Sequence, residues 1–346
     1  MSSILHIIPN HVFLNRYQGS YKDVIGRVRL LENNPNGYRQ VIVESHKPLP
    51  FDELLGNMQP SHILVEYSSL GRIVAALRLR YPKAFIAVRA HNIEPLQQFD
   101  NRGWFPLRKL PQLLYSCLRL LYTDWMSARN ADTIYSINQW EAENYWNKMP
   151  GCNSVHWLPY FTPDSMLPKH DAPERTIIAC LPSSLEHRKT RDLVSRFARF
   201  AEAAKPFSKS DIFAASGDLS TWKMEIPSSI ELTGLIGDLP SYMARVKAVA
   251  LLSPLGYGFK TTIADAIAAG CYVIVHPSIY KRCPDMLRPA CIELRSLNGK
   301  DISQVLKHIE APFPLNHTME KLREITLRRL ETDFCFSGKV IANSSV

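Results

Sequence analysis

A chain of 346 residues is too long for one hydrophobic core and sized for two domains. With 46% hydrophobic and 21% charged residues it is not a disordered chain, and no apolar run reaches the roughly 18–20 residues that span a bilayer. The formal charge of +9 implies attraction to something anionic. The excess is spread, with 17 Lys+Arg against 13 Asp+Glu in residues 1–165 and 24 against 19 beyond. No zinc-finger spacing, aromatic-glycine RNA-binding signature or basic tail accompanies it, so nucleic acid is not expected.

In chain order, short apolar runs at 4–8, 40–43, 62–65, 85–89, 133–136 and 156–158 predict strands. Helical spacing between them predicts helices over 22–32, 71–80, 112–129 and 139–148. The opening run 4–8 follows neither a basic leader nor a cleavage signal, so it reads as a first buried strand. Four prolines (Pro159, Pro163, Pro168, Pro173) mark a connector. Strands are predicted again at 176–180, 211–214, 231–233, 248–252 and 272–276, with helices over 191–204, 239–245 and 262–270. Met319, Leu322, Ile325, Leu327 and Leu330 space a last helix over 317–334. Strict alternation of strand and helix predicts an α/β chain with parallel sheets. The expected domains are 1–165 and 174–316, with 317–346 a helix returning to the first domain. The seven cysteines form no C-x-x-C and no His/Cys metal spacing, which points to reduced core thiols, a cytoplasmic protein and no metal site.

The densest chemistry lies in Leu252-Ser-Pro-Leu-Gly256-Tyr257-Gly258-Phe259-Lys260-Thr261-Thr262-Ile-Ala-Asp265, followed by Ala-Ile-Ala-Ala-Gly270 and an apolar strand. Glycines allow the backbone to approach a ligand, and the helix they open presents unpaired N–H groups that suit phosphate. Lys260 adds a point charge there, and Asp265 is a carboxylate for a ribose diol. Upstream, Cys180-Leu-Pro-Ser183-Ser184-Leu-Glu-His187-Arg188-Lys189 places cations after a predicted strand. The plain alternative is a tight strand–helix turn with a solvated lysine, and a basic surface loop.

The segment 256–274 resembles the nucleotide-sugar signature of the GT-B glycosyltransferases, in particular the retaining family 4, also called group 1. Gly256-Tyr257-Gly258-Phe259-Lys260-Thr261-Thr262 is similar to a Gly-x-Gly-x-Lys-x-Lys variant, with Thr262 in place of the second lysine. Asp265-Ala-Ile-Ala-Ala-Gly270 takes the place of the usual glutamate-led run, and the first acidic position of that family's pattern is not filled. Leu232-Thr233-Gly234-Leu235 resembles the strand end that meets the nucleobase. Lys189, with Arg188, matches the cations that hold the departing diphosphate. In the first domain, Arg89-Ala90-His91-Asn92-Ile93-Glu94 resembles a step beside the transferred sugar, and Gly19 falls in the loop after the first strand.

The resemblance implies two Rossmann-like domains with parallel sheets facing an interdomain cleft. It implies a metal-independent, cofactor-free enzyme that transfers a sugar, with retention, from a nucleoside diphosphate sugar (UDP- or GDP-sugar) to an acceptor hydroxyl. The acceptor would be a surface polysaccharide or lipid-linked glycan. His91, Lys189 and Lys260 would be catalytic and Glu94 would face the acceptor. Gly19, Arg188, Gly234, Leu235, Gly256, Tyr257, Gly258, Phe259, Thr261, Thr262 and Asp265 would bind donor. The alternatives are a nucleotide-sugar 2-epimerase of related architecture and a non-catalytic sugar-nucleotide-binding protein. The mixture of aromatics and cations over 102–110 suits docking at the anionic cytoplasmic face of a membrane.

Overall fold

The computed structural model describes residues 3–14, 19–32, 37–44, 50, 55–100, 102, 106–164, 167–168, 174–182, 188–208, 210–217 and 228–334. They divide into two compact units. The first comprises Met1–Phe161, Tyr257–Phe259 and Glu320–Val346, and the second Thr162–Gly256 and Lys260–Met319.

The first unit holds a six-stranded sheet of β1 (Ile4–Pro9), β2 (Tyr38–Val43), β3 (His62–Glu66), β4 (Phe85–Ala90), β5 (Thr133–Ser136) and β6 (Val155–Trp157). All its pairings are parallel, in the order β2-β1-β3-β4-β5-β6. The central strands are nearly all apolar because helices cover both faces, as parallel sheets require. Those helices include α1 (Gly19–Leu31), α2 (Gly71–Arg80), α3 (Glu94–Asp100), α4 (Leu110–Asn130) and α5 (Gln139–Asn144). Asn138 caps α5 by accepting from the Trp140 N–H at 3.0 Å. Expected and observed elements coincide closely here. The exceptions are α3, which was not anticipated, and the end of the 139–148 helix, where Trp146–Lys148 forms a separate 3-10 turn.

The second unit holds β7 (Ile177–Cys180), β8 (Ile212–Ser216), β9 (Ile230–Gly234), β10 (Val246–Leu251), β11 (Tyr272–Val275) and β12 (Cys291–Glu293). This sheet is also wholly parallel, ordered β12-β11-β10-β7-β8-β9. Strand order reverses between β7 and β10, which creates the crevice where such sheets bind ligands. The helices are α6 (Arg188–Ala204), α7 (Leu239–Ala244), α8 (Thr261–Ala268), α9 (Pro277–Arg282) and α10 (Gly299–Ile309). The helix α8 stops in two reversed bonds, Gly270 N–H to the Ile267 carbonyl and Cys271 N–H to that of Ala266, both 2.9 Å. A core of Phe197, Phe200 and Phe213 with Ile178, Ile274 and Ile302 seals the face under α6 and α10.

A last helix, α11 (Thr318–Phe334), counts with the first unit from Glu320 on. Its Leu330 and Phe334 are fully buried with Ile4, Leu64, Tyr135 and Leu158. The Tyr135 hydroxyl donates to Asp333 at 2.6 Å, and Thr326 donates to the Pro159 carbonyl at 2.9 Å.

The tightest helix contact in the first unit is α2 on α4. A Cβ added to Gly71 would stand 2.1 Å from the Thr123 carbonyl oxygen. Alanine is normally the better helix former by about 1 kcal/mol. Here the clash decides the sign, so Gly71→Ala should destabilise the first unit by about 1–3 kcal/mol. The measurement is the urea midpoint followed by tryptophan fluorescence; an unchanged or higher midpoint would show that the two helices separate freely.

Candidate functional site

Three strands of the first unit end at a buried cluster of charge. The sequence places His6 within β1, Glu66 as the last residue of β3, Arg89 in β4 and His91 just after it. Asp23 and Arg27 lie one turn apart on α1, between the buried Val24 and Val28. All six side chains are at most 6% exposed. Glu66 receives Arg27 Nε at 2.8 Å and its second guanidinium nitrogen at 2.7 Å. It also meets His6 Nε2 at 2.8 Å and His91 Nε2 at 2.9 Å. Asp23 pairs with Arg27 at 2.7 Å and with Arg89 at 3.0 Å. Arg89 also donates to the Leu158 carbonyl.

Two arginines and two carboxylates sum to zero, so the cluster is neutral when both histidines are neutral. Burial drives both imidazole pKa values below the ordinary range, despite the Glu66 carboxylate pulling them up. Burial pushes the Asp23 and Glu66 carboxyls upward, but their partners win: Arg27 and Arg89 hold Asp23 low, and Arg27 with hydrogen bonds from the two neutral histidine rings holds Glu66 well below normal. An ionised Glu66 only accepts, so each ring donates Nε2–H to it, an assignment made from the hydrogen-bond network. The His6 Nδ1 lone pair then accepts from the Tyr38 hydroxyl at 2.8 Å.

His91 is therefore a braced ring. Its Nε2 is taken by Glu66, its Nδ1 lies 3.5 Å from Asp23, and Tyr67 stacks on its face with centroids 4.2 Å apart. Tyr67 itself holds a left-handed backbone at φ 78° while its N–H donates to the Arg89 carbonyl at 2.9 Å. A non-glycine residue in that region costs on the order of 1–3 kcal/mol and marks a site that the surroundings enforce. Next in the chain, Asn92 Nδ2 donates to Glu94 at 3.3 Å. Gly258, at φ 91°, counts with this unit, and a Cβ there would fall 1.8 Å from Asn92 Oδ1 and 3.2 Å from the His91 carbonyl oxygen. Only glycine permits that approach. Phe259 packs toward Tyr160 with ring centroids 6.5 Å apart. Gly19 opens α1, next to the hydroxyl-bearing Ser20.

In the second unit Gly256 follows β10 with φ 85°. A Cβ at Gly256 would lie 2.7 Å from Lys260 Nζ and 3.5 Å from Lys189 Cδ. Two lysines distant in sequence thus converge on one glycine, at the β7/β10 switch point. Lys260 is the N-cap of α8, and no side chain caps it, so Thr261 and Thr262 contribute the first N–H groups of the helix. Lys189, after Arg188, lies in the first turn of α6. Asp265, one turn into α8, accepts from the Thr162 hydroxyl at 3.0 Å. Ser183, Ser184 and His187 lie outside the described residues, as do Trp104 and Phe105.

Gly234 ends β9, and Leu235 beyond it is 78% exposed. On the same side of the sheet a groove of about 410 Å³ is lined by Ala214, Thr233, Ile236, Tyr242 and Arg245. Among the described residues no three His, Cys, Asp or Glu side chains gather as a metal site.

The structure thus brings together Gly256, Lys260 and Lys189 in one unit, and His91, Asn92 and Gly258 in the other. Sequence reasoning missed Asp23, Arg27 and Glu66, and read Arg89 only as part of a motif. The available signal was a charge inside an otherwise apolar strand, as at His6, Glu66 and Arg89, together with an i,i+4 pair set among valines.

No protein-family profile and no curated sequence matches the chain. Solved structures do. Sucrose-phosphate synthase from Thermosynechococcus elongatus superposes with a TM-score of 0.59 at 13% identity, covering 97% of each chain. Anabaena HepE in complex with UDP and glucose gives 0.62 at 10% identity, covering 96% of this chain and 99% of that one. The lipopolysaccharide outer core galactosyltransferase WaaB in its apo form gives 0.58 at 12%, covering 97% and 99%. The chain has the fold of the GT-B glycosyltransferases, two parallel six-stranded sheets with flanking helices. Identity this low establishes the fold and nothing finer.

The charge cluster has a consequence for acid stability. His6 and His91 have folded pKa values below their unfolded value near 6.5, and those of Asp23 and Glu66 are also depressed. In each case the unfolded chain binds more protons, so stability is present at neutral pH and is lost as pH falls, from 6.5 downward for the histidines and from about 4 for the carboxylates. Asp124, raised to about 7 by burial, works in the opposite sense. On an Asp124→Asn background the thermal midpoint should therefore fall steeply between pH 7 and pH 5. Adding His6→Gln should flatten that fall; an equally steep profile would mean the ring is protonated in the folded state.

Proposed function

We propose that the protein is a glycosyltransferase that moves a sugar from a nucleoside diphosphate sugar to an acceptor hydroxyl. The observation that carries this reading is the convergence of Lys189 and Lys260 on Gly256 at the β7/β10 switch point, beside the N-terminus of α8. The Lys260 ammonium and the Lys189 side chain beside one glycine, at the opening of a helix, suit an anionic ligand. A diphosphate is large enough to meet both ammonium groups and the helix N–H groups together.

In this reading Gly256, Tyr257, Gly258 and Phe259 form the donor loop, with Thr261 and Thr262 giving N–H groups to phosphate. Asp265 takes the ribose hydroxyls, steadied by Thr162. The base rests at Gly234 and Leu235 beside the groove on the β9 side. Gly19 contacts the sugar, and Glu94 contacts the acceptor. His91 stands at the transferred sugar as a braced group rather than a mobile base.

The bond between the anomeric carbon and the β-phosphate oxygen breaks, and the acceptor oxygen bonds to that carbon on the same face. The acceptor proton passes to the departing diphosphate. Negative charge grows on that leaving group, where Lys189, Arg188, Lys260 and the α8 N–H groups stabilise it. The reaction retains configuration and uses no metal. UDP- or GDP-sugar is the donor, and a surface polysaccharide or lipid-linked glycan on the cytoplasmic side of a membrane is the acceptor. Nucleotide-complexed relatives in the same fold support this reading: HepE is described with UDP and glucose, and a trehalose-6-phosphate enzyme from E. coli with UDP-2-fluoro glucose.

A thermal-shift series with UDP, GDP, ADP and CMP should raise the midpoint with one or two of them only. Lys260→Ala should weaken that nucleotide at least about tenfold while leaving the unliganded midpoint within a degree or so. No shift with any nucleoside diphosphate would remove the reading. With the donor identified, His91→Gln should lower kcat more than tenfold at nearly unchanged nucleotide affinity. Full turnover by that variant would assign His91 to structure alone.

A further inference from the structure

The longest helix of the first unit is apolar on two sides. Through Leu113, Asp124, Ser127 and Ala128, α4 buries one side against α2 and α3. Its outer side should then be polar. Instead Leu110, Leu114, Leu118 and Leu121 follow one another at helical spacing and are between 37% and 65% exposed. Tyr115 and Tyr122 widen the line, at 71% and 49%. At 100° per residue these six side chains span an arc of about 140° that adjoins the buried side at Leu110 and turns away from it. Single exposed leucines need no explanation, but a contiguous stripe does.

Charge says what covers it. From 101 to 123 there is no Asp or Glu, while Arg102, Arg108, Lys109 and Arg119 are all exposed. A second copy docking through a two-fold axis would bring the same cations face to face. A flat surface with anionic groups above an apolar layer satisfies both the stripe and its rim. Among the described residues no helix is long and apolar enough to cross a membrane, so the surface is one that α4 lies on.

We propose that α4, with the Leu107–Lys109 turn before it, is a docking face for an anionic phospholipid bilayer. The leucines enter the boundary between headgroups and acyl chains. The tyrosines sit at headgroup level, and Arg108, Lys109 and Arg119 meet lipid phosphates. Close packing of α4 on Gly71 holds the helix preformed, so docking does not have to pay for its folding. The expectation for 102–110 is thereby moved: the described part of that segment is the edge of the face, and α4 is its body. The inference does not rest on glycosyl transfer.

The test is co-sedimentation of the full chain with vesicles of phosphatidylcholine alone and of equal parts phosphatidylcholine and phosphatidylglycerol. The mixed vesicles should bind at least about tenfold more tightly. Leu114→Glu with Leu118→Glu should cut that binding at least about tenfold, and Arg108→Ser with Lys109→Ser by roughly tenfold. Both pairs are exposed, so the nucleotide-induced thermal shift and the circular dichroism spectrum should match wild type; failure of the donor reading would leave this comparison intact. Should the glutamate pair misfold, Leu118→Ser alone carries the same comparison. Equal binding to both vesicle types, or undiminished binding by the leucine variants, overturns the proposal. So does a wild-type dimer that Leu118→Glu splits in sedimentation, because the face would then belong to a second copy.

Discussion

Four buried charges at the carboxyl edge of the first sheet hold the elements around them in one arrangement. Asp23 and Arg27 come from α1, Glu66 from β3 and Arg89 from β4, so the network ties a helix to two paired strands. Each charge would cost several kcal/mol to bury alone, and removal of one partner strands another. The network is satisfied only when α1 lies at one rotation and β3 and β4 end in one register. Apolar side chains would pack in several arrangements; these contacts accept one. His6 and His91 join through Glu66 and add neutral donors without altering the charge balance.

The same constraint sets what the His91–Glu94 step presents outward. The His91 ring is held on Glu66, while Asn92 and Glu94 beside it are half-buried. Gly258 approaches the His91 carbonyl and Asn92 more closely than any side chain would permit. In the second unit the approach at Gly256 brings in the Lys260 ammonium and the Lys189 side chain rather than carbonyls. The two glycines of one short loop thus have different physical reasons: one admits the neutral Asn92 side chain and the His91 carbonyl, the other lysine side chains.

Much of the architecture was legible. Apolar runs such as 4–8 and 85–89 became strands because parallel strands buried on both faces need unbroken hydrophobicity, and that pattern is local. Cys291–Glu293 was not legible, since three residues carry no period and the strand exists by pairing with β11. The helix α10 should have been read: Ile302, Val305, Leu306 and Ile309 follow helical spacing, and Asn298 caps it. The loop over 256–260 could be read as a phosphate-type turn from its glycines and Lys260. Its partner Lys189 could be proposed only from resemblance, because 67 residues of chain separate it from Gly256 and only folding closes that distance.

The sequence by itself determined most of the order of strands and helices, the parallel sheets, the glycine loop and the cation after β7, since each is written in neighbouring residues. Tertiary structure decided which charges are paired and which face outward. Asp23 and Arg27 read locally as a solvated helix pair, yet Glu66 and Arg89 draw them into a dry network. The leucines of α4 read locally as core, yet α2 and α3 cover only one of its sides. Burial is a property of what packs from elsewhere in the chain, and periodicity cannot report it when a helix is apolar on two faces.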